Sequence, residues 1–204
     1  MTRREEIQTS LRRRTSWKSA EGQSLVEFAL SLPLLLLLVL GIIEVSFALY
    51  DQHILTKLSR EGSNLISRDT TLQDAANAMN LIASNPVNFS TGNSRLIFSV
   101  IRQGISGSNA GRPILYQRHQ IGSLSVSSIL ATRGAGTFGG APNYLAINAD
   151  NDTNLQIINL PANITLPNNG FIFLTEVHNQ HNLITPFENF GFRLPTTLSA
   201  SAYF

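Results

Sequence analysis

The chain has 204 residues, of which 43% are hydrophobic and 14% are charged, and its formal net charge is +2. Beyond the first 22 residues, no block of basic or acidic side chains indicates a nucleic-acid partner. The absence of cysteine excludes disulfide bonds, so a folded domain must be stabilised by its hydrophobic core alone.

A short charged leader precedes a long apolar run. Residues 1–22 contain six Lys or Arg side chains and three Glu, which gives a net charge of +3. In residues 25–50, only Glu27 and Glu44 carry a charge. Because a bilayer core of roughly 30 Å needs about 20 mostly apolar residues as a helix, we predict a transmembrane helix over residues 23–50.

The flanks of this span predict its orientation. Lys and Arg are much denser in the leader than after Tyr50, where nine Lys or Arg are balanced by eight Asp or Glu. We therefore expect a cytoplasmic leader and an exported C-terminal part. A secretory signal has an apolar region of about 7–15 residues and a small-residue cleavage site. This run is longer, and no Ala-x-Ala element closes it before Tyr50, which favours a retained span.

An acid lies near the start of the span. A charge inside a transmembrane helix costs about 2.5–3.5 kcal/mol on insertion scales and usually marks a function or a partner. The alternative is that Glu27 extends to the headgroup level. If the chain is cut after Gly22, Gln23 becomes the N-terminus and Glu27 becomes its fifth residue. The carboxylate could then neutralise the amine of a neighbouring subunit in a low-dielectric environment, which predicts self-assembly.

Glycine suits such a cut, because Gly22 has no side chain to obstruct a peptidase that approaches the backbone. The alternative is that Gly22 only separates the leader from the helix. Further along, Pro33 cannot donate a backbone hydrogen bond to Ala29, and we predict a modest kink there.

Three sequence blocks carry a family resemblance: GQSLVEFAL at 22–30, PLL at 33–35 and GIIE at 41–44. They resemble the N-terminus of TadE-like pseudopilins, which are minor pilin-like components of tight-adherence (Flp-type) pilus machines. The resemblance is good to about residue 66 and covers the rest only in outline. Major Flp pilins have a very short body and a Tyr after the acid. Phe28 and the large exported part therefore favour the minor role.

The resemblance implies a specific processing and assembly pathway. A membrane prepilin peptidase would cleave between Gly22 and Gln23, and Glu27 would be the assembly carboxylate. The implied partners are the membrane, other pilins or pseudopilins, and the pilus assembly platform. The implied location is the bacterial inner membrane, with one span, a cytoplasmic N-terminus and a periplasmic C-terminal domain.

After the span, apolar residues recur at helical spacing and predict that the helix continues to about residue 66. Asp69 to Thr71 interrupts this pattern, and Thr71 with Asp74 resembles a capping arrangement. A second helix is predicted over residues 71–84, where Asn85-Pro86 stops it.

The remaining residues favour β structure. Strands are predicted at 95–102, 114–121, 163–166, 170–177 and 198–204, and the first two should form a hairpin. A glycine-rich loop is predicted over residues 133–143. We expect an antiparallel sheet and an α+β, pilin-like fold, although strand order cannot be read from the sequence. The predicted domains are a cleaved leader (1–22), the span (23–50), a helical segment (51–84) and a sheet domain (85–204).

Enzymatic motifs are missing from the sequence, and we predict a protein without catalytic, cofactor or metal sites. The one candidate metal cluster is Glu176, His178 and His181. The first two would share a strand face, and His181 could return from a turn. An exposed turn at the strand end is the favoured interpretation of these residues.

Two classes of function are consistent with these patterns. The first is a pseudopilin that is processed at Gly22 and is part of a tight-adherence pilus apparatus. The alternative is a single-pass, membrane-anchored envelope protein whose leader is retained and whose exported β domain binds a ligand or a surface.

Overall fold

The computed structural model of the chain describes residues 3–167, 169–185 and 195–204, with side chains described from residue 22 onward. Two compact units are present, Met1–Phe47 and Ala48–Phe204.

The first helix, α1, spans Arg3–Ile66 and runs without interruption through Gly22 and Pro33. The helix therefore includes residues of the predicted leader as well as the predicted span 23–50, whose bounds stay a prediction. Its 18-residue window of highest hydropathy has a mean value of 2.6, and none of that window is buried. By length and composition α1 can cross a membrane. The kink at Pro33 stays a prediction.

The second helix, α2, spans Leu72–Ile82 and starts from a side-chain cap. Thr71 Oγ1 accepts a hydrogen bond from the backbone N–H of Asp74 at 3.1 Å and donates to the Asp74 carboxylate at 2.7 Å. This contact satisfies one of the N–H groups that a helix start leaves without a partner. The capping arrangement predicted from Thr71 and Asp74 is confirmed.

Four antiparallel strands form one sheet. They are β1 (Ser94–Gln103), β2 (Pro113–Ile121), β3 (Phe171–Gln180) and β4 (Thr197–Tyr203), and their order in the sheet is β2-β1-β3-β4. All three pairings are antiparallel, which confirms the α+β fold class and the predicted β1–β2 hairpin. Two single-turn 3-10 helices, Gly107–Asn109 and Thr153–Leu155, lie in the connections.

The predicted strand at residues 163–166 is wrong. These residues lie outside the sheet, and the backbone N–H of Ile164 donates to the carbonyl of Pro161 at 2.9 Å. Proline also follows the segment at position 167. The N–H of Ile164 is therefore used in a local turn, and Pro167 has no N–H, so neither residue can donate to a neighbouring strand.

Both faces of the sheet are covered, so β1 and β3 are buried along almost their whole length. On one face, helical residues 48–82 pack on the sheet through a cluster that includes Leu55, Met79, Phe98 and Val177. On the other face, the long connection 122–170 covers the strands, with Leu130 and Ile157 packed against residues such as Ile101, Leu115 and Leu174.

A glycine sets how closely α1 approaches the sheet. A Cβ at Gly62 would lie 2.6 Å from Thr175 Cγ2 and 3.1 Å from Phe98 Cε1. One residue further, Ser63 Oγ donates to the carbonyl of Ala202 at 2.7 Å. Helix and sheet therefore meet at a distance that only the smallest residue permits at position 62.

We expect Gly62→Val to destabilise the second unit by about 2 kcal/mol, because both neighbours are buried and would have to move. Thermal unfolding of the full chain in detergent, followed by circular dichroism, measures the effect. Gly140→Val is the matched control, since a Cβ at Gly140 would meet nothing within 4 Å. Equal melting temperatures for the two variants would contradict the close packing described for Gly62.

Candidate processing and assembly site

The predicted cleavage position lies on an open stretch of α1. A Cβ built at Gly22 meets no atom within 4 Å, and the residue is exposed. Nothing within the described residues therefore requires glycine at this position. If glycine is required there, the requirement comes from another molecule that approaches the backbone.

Gln23 and Glu27 lie one helical turn apart on the same side of α1. Gln23 Nε2 donates a hydrogen bond to Glu27 Oε1 at 2.9 Å, and both side chains are exposed. Residues four apart in a helix are neighbours on its surface. The contact shows that the Glu27 carboxylate can reach a donor at the level of residue 23, where cleavage would create the new amine.

Apolar side chains surround this site. Leu25, Phe28, Leu30 and Leu34 are 63–74% exposed, and they point in different directions around the helix. The hydroxyl of Ser31 donates to the carbonyl of Phe28 at 3.1 Å, so this polar group has a partner within the helix. A helix that is apolar all round, with its polar groups bonded internally, is typical of a membrane environment.

The Glu176, His178 and His181 cluster differs from the favoured prediction, because all three residues are buried. Glu176 and His178 do share a strand face, with His178 Nε2 3.4 Å from Glu176 Oε2. His181 does not return to them. It bonds through Nδ1 to Asp51 Oδ2 on α1 at 2.6 Å. The exposed-turn interpretation was wrong, because β3 is a central strand whose end packs against α1.

Metal binding finds no support in this cluster. Across the described parts of the chain, no group of three His, Asp or Glu side chains is arranged to hold a metal ion. His181 bonds to Asp51 and does not contact Glu176 or His178. Only these two candidate ligands therefore lie together on the strand.

Glu176 instead anchors the connection that covers the sheet. Its carboxylate accepts hydrogen bonds from the Ser128 hydroxyl and from the backbone N–H of Ile129, the latter at 2.8 Å. Arg118 on β2 donates to Ser128 Oγ at 3.0 Å and to Ser99 Oγ at 3.3 Å. The acid, the arginine and the two hydroxyls form one polar network inside the second unit.

Two effects shift the pKa of Arg118 in opposite directions. Burial lowers the pKa of Arg118, and the nearby Glu176 carboxylate raises it. The pKa of Tyr203 on β4 is raised by burial and then by the same carboxylate. This network was not predicted from the sequence. The acid between apolar residues of a strand could have indicated it, because buried charges in proteins are paired.

An acid in the loop 148–154, Asp150, also has a structural role. Asp150 accepts from the backbone N–H of Ile105 at 2.9 Å and lies 3.2 Å from the Arg102 guanidinium. The hydrogen bond from Ile105 and the contacts of Arg102 hold the pKa of Asp150 below its usual value, although partial burial opposes them. Asp150 thus ties this loop to the residues at the end of β1.

Comparison with known families gives one match. Residues 22–64 match the family model described as TadE-like protein. No curated protein and no solved structure matched the chain. The resemblance predicted from the three sequence blocks is confirmed, and the matched region begins at Gly22 and ends near the end of α1.

The chain thus carries a TadE-like segment, and this supports its involvement in a tight-adherence pilus system. The TadE-like family comprises structural, pilus-associated components. Together with the long apolar helix, the match supports association with a membrane.

We expect Glu176→Gln to lower the free energy of unfolding by about 2 kcal/mol, because it leaves the half-buried Arg118 without a compensating charge. Denaturant unfolding of the full chain in detergent measures this loss. Glu61→Gln removes an exposed carboxylate and should change stability by no more than about 0.5 kcal/mol. A loss no larger for Glu176→Gln than for Glu61→Gln would show that the network does not stabilise the fold.

Proposed function

We propose that the protein is a minor pilin-like (pseudopilin) structural component of a tight-adherence pilus assembly apparatus. A prepilin peptidase cleaves it after Gly22, and Glu27 serves in assembly. The observation that carries the proposal is the start of the TadE-like match at Gly22, five residues before an exposed acid on an otherwise apolar helix.

Glu27 supports the proposal through its energetic cost. An exposed carboxylate on a lipid-facing helix is unfavourable by about 2.5–3.5 kcal/mol, so it needs a compensating partner. After cleavage, the amine of Gln23 on a neighbouring subunit supplies one. Attraction between the two charges is much stronger in a low-dielectric environment than in water, which favours assembly over free monomers.

The surroundings of the predicted cleavage site also support processing. Gly22 is open to an approaching enzyme, and no contact within the described residues accounts for a glycine there. The positively charged leader favours a cytoplasmic N-terminus, and the exported domain would then lie on the other side of the bacterial inner membrane. Other pilins or pseudopilins and the assembly platform are the expected partners.

The alternative function, a permanently anchored envelope protein with a binding β domain, predicts a retained leader. The state of the N-terminus therefore distinguishes the two functions directly. Under the proposed function, the protein isolated from membranes of its host begins at Gln23.

Replacement of the glycine tests processing. We expect Gly22→Arg to abolish cleavage, because a long charged side chain would obstruct the peptidase at the membrane surface. Intact-mass spectrometry and N-terminal sequencing of the membrane-extracted protein provide the measurement. Ala20→Arg adds the same charge within the leader and should leave the new N-terminus at Gln23. An intact leader in the unmodified protein, in cells that contain the peptidase, would rule out processing.

Replacement of the acid tests assembly. We expect Glu27→Leu to insert into the membrane normally and to reduce pilus assembly by roughly tenfold or more, because the amine of a neighbouring subunit loses its counter-charge. Membrane fractionation measures insertion, and the amount of sheared pili measures assembly. Ser31→Leu is the matched control, since it removes another exposed polar group one turn further along. Normal piliation with Glu27→Leu would remove the role assigned to this carboxylate.

A further inference from the structure

The peptide bond between Gly22 and Gln23 lies inside a helix. Because α1 is continuous over Arg3–Ile66, both residues have a helical backbone. In an α-helix each backbone N–H donates to the carbonyl four residues earlier. The C=O of Gly22 and the N–H of Gln23, which form the bond predicted to be cleaved, are therefore both used within the helix.

Cleavage needs a different conformation of this backbone. Hydrolysis gives the hydroxyl of water to the carbonyl carbon of Gly22 and a proton to the nitrogen of Gln23. In a helix, the peptide groups are bonded to other turns of the same chain, and side chains project on all sides of them. An extended segment instead presents its N–H and C=O groups to a partner, as in recognition by strand addition. The helix therefore has to open at this position before the bond is cut.

Water and lipid determine the direction in which the helix can open. Residues 28–36 are exposed and, apart from Ser31, apolar, so the segment after the cleavage position suits lipid. Within lipid, a backbone group that loses its helical partner finds no water to replace it. Residues 1–22 carry nine charged side chains, and water can bond to the backbone of such a segment. Opening is therefore much less unfavourable on the leader side of Gly22 than on the side of the span.

A side-chain contact stabilises the helix directly after the cleavage position. Gln23 Nε2 donates a hydrogen bond to Glu27 Oε1 at 2.9 Å. Hydrogen-bonded side chains four residues apart stabilise a helix, and both partners of this pair belong to the processed chain. The first helical turn after the cleavage position thus contains a contact that opposes opening.

Gly22 is a weak helical position at this boundary. Glycine lowers the helix-to-coil equilibrium about fivefold relative to alanine, because its backbone loses the most freedom in a helix. A Cβ at Gly22 meets no atom within 4 Å, so no packing in the described part of the chain holds the helix there. Gly62 in the same helix differs, since its Cβ would meet Thr175 on the sheet at 2.6 Å. Packing explains Gly62, and it does not explain Gly22.

We propose that α1 opens on the leader side of Gly22 before cleavage, and that Gly22 sets how readily it opens. The turn held by the contact between Gln23 and Glu27 stays helical and remains in the membrane while the leader is removed. The peptidase thus selects a chain whose helix is weak at this boundary. This inference rests on the proposed function, and it gives Gly22 a positioning role beyond its lack of a side chain.

Hydrogen exchange of the full-length protein tests the opening without any peptidase. In detergent micelles, we expect backbone amides 18–22 to exchange at least about tenfold faster than amides 26–30, relative to their rates in an unfolded chain. Gly22→Ala should slow exchange of the first group about fivefold and leave the second group unchanged. Mass spectrometry of overlapping proteolytic fragments measures both groups. Equal protection of the two groups, or no effect of Gly22→Ala, would overturn the proposal.

Cleavage rates provide the second test. Full-length protein in detergent is incubated with membranes that contain the prepilin peptidase of its host, and intact-mass spectrometry follows the chain that begins at Gln23. We expect Gly22→Ala to slow cleavage about fivefold. Adding Ala20→Gly, which weakens the leader side of the helix, should restore the rate to within about twofold of the unmodified protein. Adding Ala29→Gly instead is the matched control, because the same change within the span should restore nothing.

The results separate this inference from the proposed function. An unmodified protein that keeps its leader would contradict processing itself. If the unmodified protein is cleaved after Gly22 and Ala20→Gly does not restore cleavage of Gly22→Ala, glycine acts through its size alone and the opening is refuted. Equal cleavage rates for the unmodified protein and Gly22→Ala would refute the opening as well. Circular dichroism verifies that each variant is folded.

Discussion

The close approach of α1 to the sheet at Gly62 is the constraint on which the second unit depends. Thr175 and Phe98 lie where a side chain at position 62 would have to be, and both belong to the central strands. This contact brings Leu55 and Leu58 onto the sheet and closes the larger of the two apolar clusters. Because there are no disulfide bonds, such packing and the polar network at Glu176 must stabilise the unit.

The same helix has two kinds of surface along its length. Over residues 28–36 of the first unit its side chains are exposed and, apart from Ser31, apolar all round, which suits a lipid environment. In the second unit it is amphipathic, with Leu55 and Leu58 buried and Lys57 and Arg60 exposed. A single continuous helix thus combines a segment suited to the membrane with one that packs on a sheet. The TadE-like match covers both segments, ends at residue 64 near the end of α1, and does not include the sheet.

Local patterns predicted the elements that depend on neighbouring residues. The capping pair Thr71 and Asp74, the hairpin of β1 and β2, and the shared face of Glu176 and His178 are all present. The strand predicted at 163–166 failed because periodicity cannot detect a turn closed between Pro161 and Ile164. His181 was also misplaced, since its partner Asp51 lies 130 residues earlier in the chain.

By itself, the sequence determined the apolar span, the spacing of Gly22, Gln23 and Glu27, and the α+β composition, because these depend on residue type and short-range periodicity. Only the tertiary structure decided the strand order β2-β1-β3-β4 and the burial of Glu176. Each of these depends on pairing between residues far apart in the chain. Such pairing is selected by packing of the whole unit, and no local pattern records it.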